Sequence, residues 1–375
     1  MNERNDITGM LDLLTLPGFC VQNQIITAAN AAAEGLLLSV GTDISGLFLT
    51  GKQEYAAFAG GCLYLTLSIG GQPCGAAVTK MGALDVFVLE QEQDQAELRS
   101  MALAARELRE PLTNVMITAD RLFPVAALDR DPALQEQMAR LNRGLYQMLR
   151  ILGNMSDACG RTTRMETCDI TAHIAEIMEK SAALMGHAGI TLTYSGLSEP
   201  LLMLADREQL ERALLNMLSN AMKFTPAGGT VEVSLARHGA MLSISVTDSG
   251  SPIADSILKN LFRRYLRQPA IEDSRFGIGL GMVLIRNAAS SHGGTVLVDQ
   301  PDNAGTRVTM TLSIQQSTGT QLRTPILQVD YTGERDHGLL EFSESLPAYL
   351  YQRIKNRSRP EDQAGFFFYR QVFRY

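Results

Sequence analysis

Three short stretches carry residue types that could do chemistry together. In NMLSNAMKFTPAGG, Asn216, Asn220 and Lys223 stand four and three residues apart, which puts them on one face of a helix. Leu214, Leu215, Met217 and Leu218 give that helix a buried side. Amide oxygens are hard ligands acceptable to Mg²⁺, an ion that keeps several waters and takes further oxygens from phosphate. Lysine adds a point charge for the same phosphate. Alone, the stripe also fits a solvated helix surface. In VTDSGS a strand ends at Asp248, and Gly250 permits a tight turn. A carboxylate at a pocket mouth can accept a hydrogen bond from an amino group such as that of adenine; an ordinary Asx turn is the plainer account. In FGIGLGM, Gly277, Gly279 and Gly281 alternate, so backbone N–H groups can approach an anion, and the helix that follows points its N-terminus at the same place. No strand leads directly into this loop, which disfavours a Rossmann fingerprint.

The elements that must position these groups are legible between about 165 and 315. DITAHIAEIMEKSAALMGHAG reads as a helix ending at Gly189, and ITLTYSG and LLMLAD as strands. REQLERALLNMLSNAMKF is a strong helix carrying the amide stripe. GTVEVSLARHGAMLSISVTDSG is a hairpin with its turn near Gly239, and its second strand delivers Asp248. MVLIRNAASSHGG follows the glycine loop as a helix, and GTVLVDQ and GTRVTMTLSI close the region as a second hairpin. The expected architecture is an α/β sandwich, a mixed sheet with helices on one face.

Upstream, Leu98, Met101, Ala105, Leu108, Leu112, Val115, Ala119 and Leu122 step by three and four, a heptad seam. After FPVAALDRDP a second seam follows: Leu134, Met138, Leu141, Leu145, Met148, Leu152 and Met155. Asp131 can cap this helix and Pro132 suits its first position. Two such helices make an antiparallel hairpin. One hairpin cannot bury both seams, so a second copy completing a four-helix bundle is expected, hence a homodimer. Residues 1–90 read as a small module in which ITAANAAAEGLL is a short helix and CLYLTLSI, CGAAVTK and LDVFVLEQ are strands. Residues 316–375 read as a tail. QQSTGTQ looks like a linker, but AGFFFYRQVFRY is too aromatic for a solvating segment and is expected to fold back or meet a partner.

Composition narrows the classes. The net charge of −7 over 375 residues argues against a nucleic-acid binder relying on bulk positive charge. No run of about 18 uncharged apolar residues is present, so no transmembrane segment is expected, and MNERNDITGM lacks the core of a signal peptide. A cytoplasmic protein is the expectation. The cysteines (Cys20, Cys62, Cys74, Cys159 and Cys168) are widely spaced without C-x-x-C, which points to reduced thiols.

The order of the three motifs is more specific than any one of them. Together with LFRRYLR, HGGTV and AGTRVTMTL, they resemble the catalytic ATP-binding domain of sensor histidine kinases, the Bergerat fold. The hairpin before it then resembles that family's dimerisation and phosphotransfer domain, and GFCVQNQIITAANAAAEGLL resembles the opening of a PAS sensor module. The implied fold is multidomain α+β: a PAS-like module at 1–90, a helical hairpin at 91–160, an ATP-binding domain at 165–315 and an aromatic tail at 316–375.

The resemblance implies roles residue by residue. Asn220 would ligate Mg²⁺ with Asn216 in support, and Lys223 would contact phosphate. Asp248 would bind the adenine amino group, with Gly250 shaping its turn and Thr306 lining the adenine side. Gly277, Gly279 and Gly281 would let a lid at about 266–276 close over the phosphates of ATP, and Phe262 would belong to the F-box. His292 falls where the family keeps a structural histidine. A response regulator or another kinase is the implied partner.

Two positions depart from the family pattern. The H-box His-Glu-x-x-x-Pro-Leu appears here as Arg106-Glu107-Leu108-Arg109-Glu110-Pro111-Leu112. Glu107, which in the family orients the histidine, is retained. The acceptor position is Arg106, one step off the seam and so facing outward. Arginine stays protonated and offers no lone pair for attack on a γ-phosphate, whereas imidazole near pH 7 does. Arg106 and Glu110, four apart, are expected to pair on the surface. Pro252 stands where the family's Asp-x-Gly-x-Gly turn has its second glycine. The reading that follows is a signalling pseudokinase that binds ATP and Mg²⁺. One alternative is an active kinase using His173, His187, His238, His292 or His337, none of which lies on the hairpin. Another is a dimeric scaffold that no longer binds nucleotide. A gyrase- or chaperone-type ATPase fits less well, because a heptad hairpin precedes the ATP domain.

Overall fold

The computed structural model describes residues 11, 14, 16–90, 92–123, 131–159, 163–254, 258, 280–301, 305–316 and 336–352. The chain opens on a tight hairpin, β1 (Gly18–Gln22) and β2 (Ile25–Ala29), turned by Asn23 and Gln24 at positive φ. ITAANAAAEGLL, expected as one helix, is therefore split. Its first residues pair with β1, and only α1 (Ala31–Glu34) is helical. Strand pairing overrides the helix propensity of an alanine-rich run. Asn30 sits at the break. Its Oδ1 accepts from Ala33 N and Gly18 N, both at 3.0 Å, and its Nδ2 donates to Leu16 O at 2.8 Å. After the short α2 (Lys52–Ala56), β3 (Cys62–Ile69), β4 (Gln72–Met81) and β5 (Leu84–Leu89) form the expected meander. The five strands lie in the order β2-β1-β5-β4-β3.

Two long helices follow, α3 (Glu92–Leu122) and α4 (Pro132–Ala158), packed along each other. Pro111 lies inside α3, which continues through it. Asp131 caps α4 by accepting from Ala133 N and Leu134 N. Each seam divides. Leu98, Ala105, Leu112, Met116 and Ala119 of α3 are buried, as are Met138, Leu145 and Leu152 of α4. Leu108, Val115 and Leu122, and Leu141 and Met148, stay exposed as stripes that recur every seven residues.

The remaining strands and helices form the expected mixed sandwich. A two-stranded sheet joins β6 (Glu166–Asp169) to β8 (Leu202–Ala205). Helix α5 (Ile170–His187) is capped by Asp169 and stops before Gly189, whose φ is +72. β7 (Thr191–Ser195) runs parallel to β9 (Thr230–His238). Between them lies α6 (Arg207–Phe224). β10 (Met241–Asp248) returns from the turn at Gly239, and α7 (Leu280–Ser291) leads to β11 (Val296–Asp299) and β12 (Arg307–Ser313). Val231, Val233, Leu242, Ile244 and Val246 alternate into a core shared with α5 and α6.

One feature was not anticipated: β11 pairs antiparallel with β3, from Val296↔Tyr64 to Val298↔Cys62, so the two sheets fuse into one of ten described strands. The tail, expected to fold back or meet a partner, is ordered in part. Helix α8 (His337–Glu341) and a 3-10 turn at Ala348–Tyr351 pack on α4, α5 and α6. The closing AGFFFYRQVFRY lies outside the described residues. No described helix is long and apolar enough to cross a membrane.

Candidate functional site

The site forms where the C-terminal half of α6, the end of β10 and the start of β12 meet. Asp206 caps α6 by accepting from Gln209 N at 3.0 Å. Its own N–H donates to His292 Nε2 at 3.0 Å, while His292 Nδ1 bonds Ala288 O at 2.7 Å. This pattern fixes the neutral tautomer with the proton on Nδ1, and burial lowers the His292 pKa, which favours that form. His292 thus ties α7 to the start of the helix that carries the amide stripe.

Asp248 ends β10 almost fully buried. Its Oδ1 accepts from Gly250 N at 2.8 Å. Burial raises its pKa above the ordinary carboxylate value, and backbone hydrogen bonds from Gly250 and Thr306 partly offset that. The backbone closes around this carboxylate. A Cβ at Gly250 would overlap Phe224 O, and one at Gly305 would overlap Asp248 Oδ1. Beside it the Thr306 hydroxyl is buried with no hydrogen-bond partner among the described residues. A buried, unmet donor-acceptor next to a buried carboxylate is suited to a heterocycle presenting both an amino group and a ring nitrogen.

On α6, Asn216 is fully buried. Its Nδ2 donates to Arg212 O at 2.9 Å, and its Oδ1 has no hydrogen-bond partner among the described residues. Gly281 abuts that oxygen, and a Cβ there would come within 2.9 Å of it. Asn220 is half-buried, and its Nδ2 donates to Met282 Sδ at 3.8 Å. Lys223 is ion-paired with Glu344. Burial, with Arg150 as a like charge nearby, lowers its pKa despite that carboxylate. The structure therefore brings Asn216, Asn220, Lys223 and Gly281 to one side, and Asp248, Gly250 and Thr306 to the other. Gly277, Gly279, Phe262 and the expected lid at 266–276 lie outside the described residues. Pro252 is exposed just beyond the Asp248 turn.

Arg106 and Glu107 are both exposed on α3. The surface pair expected between Arg106 and Glu110 does not form among the described residues; both side chains are exposed, where such a pair is worth only about 0.2–0.5 kcal/mol. The histidines sit elsewhere. His173 and His292 are buried and hydrogen-bonded to backbone, His337 pairs with Glu211 at 2.8 Å, His187 contacts Tyr349, and His238 ends β9. Sequence reading missed Arg150, Arg212 and Glu341, which meet beside the amide stripe. Their signal was absent, because each belongs to a different element and none falls in a motif.

This geometry defines an ATPase-type domain, and comparison with known proteins agrees. Residues 205–316 match the family model of histidine kinase-, DNA gyrase B- and HSP90-like ATPases. The histidine protein kinase DivJ of Caulobacter vibrioides is 30% identical over 60% of this chain and 40% of its own length. The adaptive-response sensory kinase SasA of Synechocystis sp. is 27% identical over 61% of this chain and 64% of its own. The crystal structure of full-length ShkA in complex with AMPPNP aligns over 59% of this chain and 47% of its own, at 22% identity and a TM-score of 0.46. The chain thus spans from two fifths to under two thirds of the length of these relatives. Residues 205–316 thus carry a domain of that ATPase family, and the chain is similar over about three fifths of its length to sensor histidine kinases.

Proposed function

We propose that the chain is a dimeric signalling pseudokinase that binds ATP with Mg²⁺ and does not phosphorylate itself. The observation that carries this reading is the contrast between two places. The Asp248 cradle keeps a buried carboxylate, close-packed glycines and a Thr306 hydroxyl unmet among the described residues, while an exposed arginine stands at the head of the H-box. ATP would be held at adenine by Asp248 and Thr306, and at its phosphates by Lys223, with Asn220 and Asn216 as ligands to Mg²⁺. The nucleotide supplies a transferable phosphoryl group; the chain supplies no imidazole on α3 or α4 to receive it. Glu107 there has no acceptor to orient.

The domain plan follows the same reading: a PAS-like sensor at 1–90, supported by its five-stranded antiparallel order, then the dimerisation hairpin at 91–160, the ATP-binding domain at 165–315 and the tail. The exposed stripe Leu108, Val115 and Leu122 with Leu141 and Met148 supports pairing with a second copy. A response regulator or another kinase is the partner class that fits such a dimer. The alternative of an active kinase is weakened by the histidines, since His173 and His292 are buried and His337 is engaged by a carboxylate.

Incubating the full chain with γ-labelled ATP and Mg²⁺ tests the reading. ATP should bind, and no acid-labile phosphate should appear on the protein. Phosphohistidine mapped by mass spectrometry to any of the five histidines would overturn the pseudokinase conclusion.

A further inference from the structure

The ordered part of the tail lies on the nucleotide helix. Asp336 caps α8 by accepting from Leu339 N at 2.9 Å, and Leu339, Leu340, Phe342, Leu346 and Tyr351 are buried beneath the segment. Its other wall is α4. Asn142 Nδ2 donates to Tyr351 O at 2.9 Å, and Arg143 donates to Ser343 O at 2.9 Å and to Glu344 O at 2.7 Å. The Tyr351 ring stands edge-on to Tyr146, centroids 5.2 Å apart. These contacts set two carboxylates against the amide stripe. Glu341 is fully buried, with Oε2 accepting from Arg150 Nε at 3.1 Å and lying 3.5 Å from Asn216 Nδ2, and its backbone O accepts from Ser219 Oγ at 3.1 Å. Glu344 pairs with Lys223 and, at 2.8 Å, with Arg150.

We propose that residues 336–352 are an internal competitor for the phosphate side of the nucleotide site, with Glu344 holding Lys223 in place of a phosphate oxygen. The inference rests on the reading of that site as one for ATP. Lys223 is a single, largely dehydrated point charge. Seating a polyphosphate on it while Glu344 remains would press two anions together in a poorly solvated crevice, where like-charge repulsion is strong. Burial tends to raise the Glu344 pKa, but Arg150 and Lys223 more than offset this, so the carboxyl titrates below its usual value and stays charged. The segment also bridges α4 to α6, so nucleotide binding and release of this bridge are one equilibrium. Coupling of this kind is reciprocal: whatever factor the segment costs ATP, ATP costs the docked segment.

The test uses the full chain and two measurements. ATP with Mg²⁺ is titrated calorimetrically into the unmodified protein and into Glu344→Gln, an isosteric change that removes the competing charge. The variant should bind more tightly, by about fivefold or more. Separately, hydrogen exchange of the 339–346 amides in the unmodified protein should speed up on saturation with ATP, a readout that needs no variant. Equal, finite affinities in the two proteins, or exchange unchanged by saturating ATP, would make the segment a plain structural strap and overturn the inference while leaving ATP binding standing. Absence of binding in both proteins would instead remove the ATP reading itself, and the inference with it.

Discussion

Asp248, proposed to hold the adenine amino group, costs the empty fold near neutral pH. Its pKa is raised because burial disfavours the charged carboxylate more than the Gly250 and Thr306 N–H groups favour it. The native state therefore holds its proton to higher pH than the unfolded chain does. Unfolding stability falls as pH rises from the ordinary carboxylate range through the native pKa, and near neutrality the ionised group is a net loss for the empty protein. Asp248→Asn keeps the shape and the oxygen that accepts from Gly250, but it cannot offer a carboxylate to an amino group. We expect the substitution to leave the nucleotide-free chain at least as stable at pH 7, and to flatten its stability profile between acid and neutral pH. It should also weaken ATP binding by about 1–3 kcal/mol, the usual loss for an unmet buried polar group. Thermal unfolding across pH and calorimetric titration read the two effects separately. Unchanged ATP affinity would sink the adenine role.

The long helices carry their own prediction. A helix that met all its partners within the chain would show one apolar stripe, all of it buried; α3 shows two, and only one is covered. Leu108 and Val115 are each more than half exposed. Replacing both by Gln should therefore leave the monomer's own packing nearly unchanged, within about 0.5 kcal/mol, and remove the proposed dimer. Sedimentation should then report a single chain, and the melting temperature should lose the concentration dependence that a dimer imposes. A dimer of undiminished strength would refute the pairing surface.

At this scale the sequence was readable where period and punctuation agree. The α6 stripe, the Gly239 hairpin, the Asp131 cap and the two heptad runs all stand where local pattern put them. It was not readable at Ile26–Ala29, where pairing to β1 overrode an alanine-rich helix signal. Nor did any pattern reveal the meeting of Arg150, Arg212 and Glu341, because long-range ion pairs leave no spacing in the chain. Of the candidate site, the elements that carry Asn216, Asn220, Lys223 and Asp248 could be located in advance; that a folded-back tail would set Glu344 against Lys223 could not.

In the whole molecule, the feature with the widest consequence is the β3–β11 joint. Neither strand advertises it. Each has ordinary alternation, and an unpaired edge looks the same in sequence as a paired one. The joint is braced by side chains. Arg286 on α7 is only 2% exposed and is ion-paired with Glu90 just after β5, and its guanidinium lies 5.3 Å from the centre of the Tyr64 ring on β3. Tyr64 in turn donates to Glu90 Oε2 at 3.1 Å. Two sheets sharing a ladder and a buried cation should unfold as one body. Glu90→Gln strands that cation without its counter-charge. Breaking a fully buried pair costs about 3–5 kcal/mol, and because Glu90 is partly exposed the loss here should fall at or below the lower end, about 3 kcal/mol. The loss should fall on the joint rather than on either core, so calorimetry of the variant should resolve two transitions where the unmodified chain shows one. A single transition, shifted or not, would mean that the first five strands and the ATP-binding sheet are held together by something other than Arg286 and Glu90.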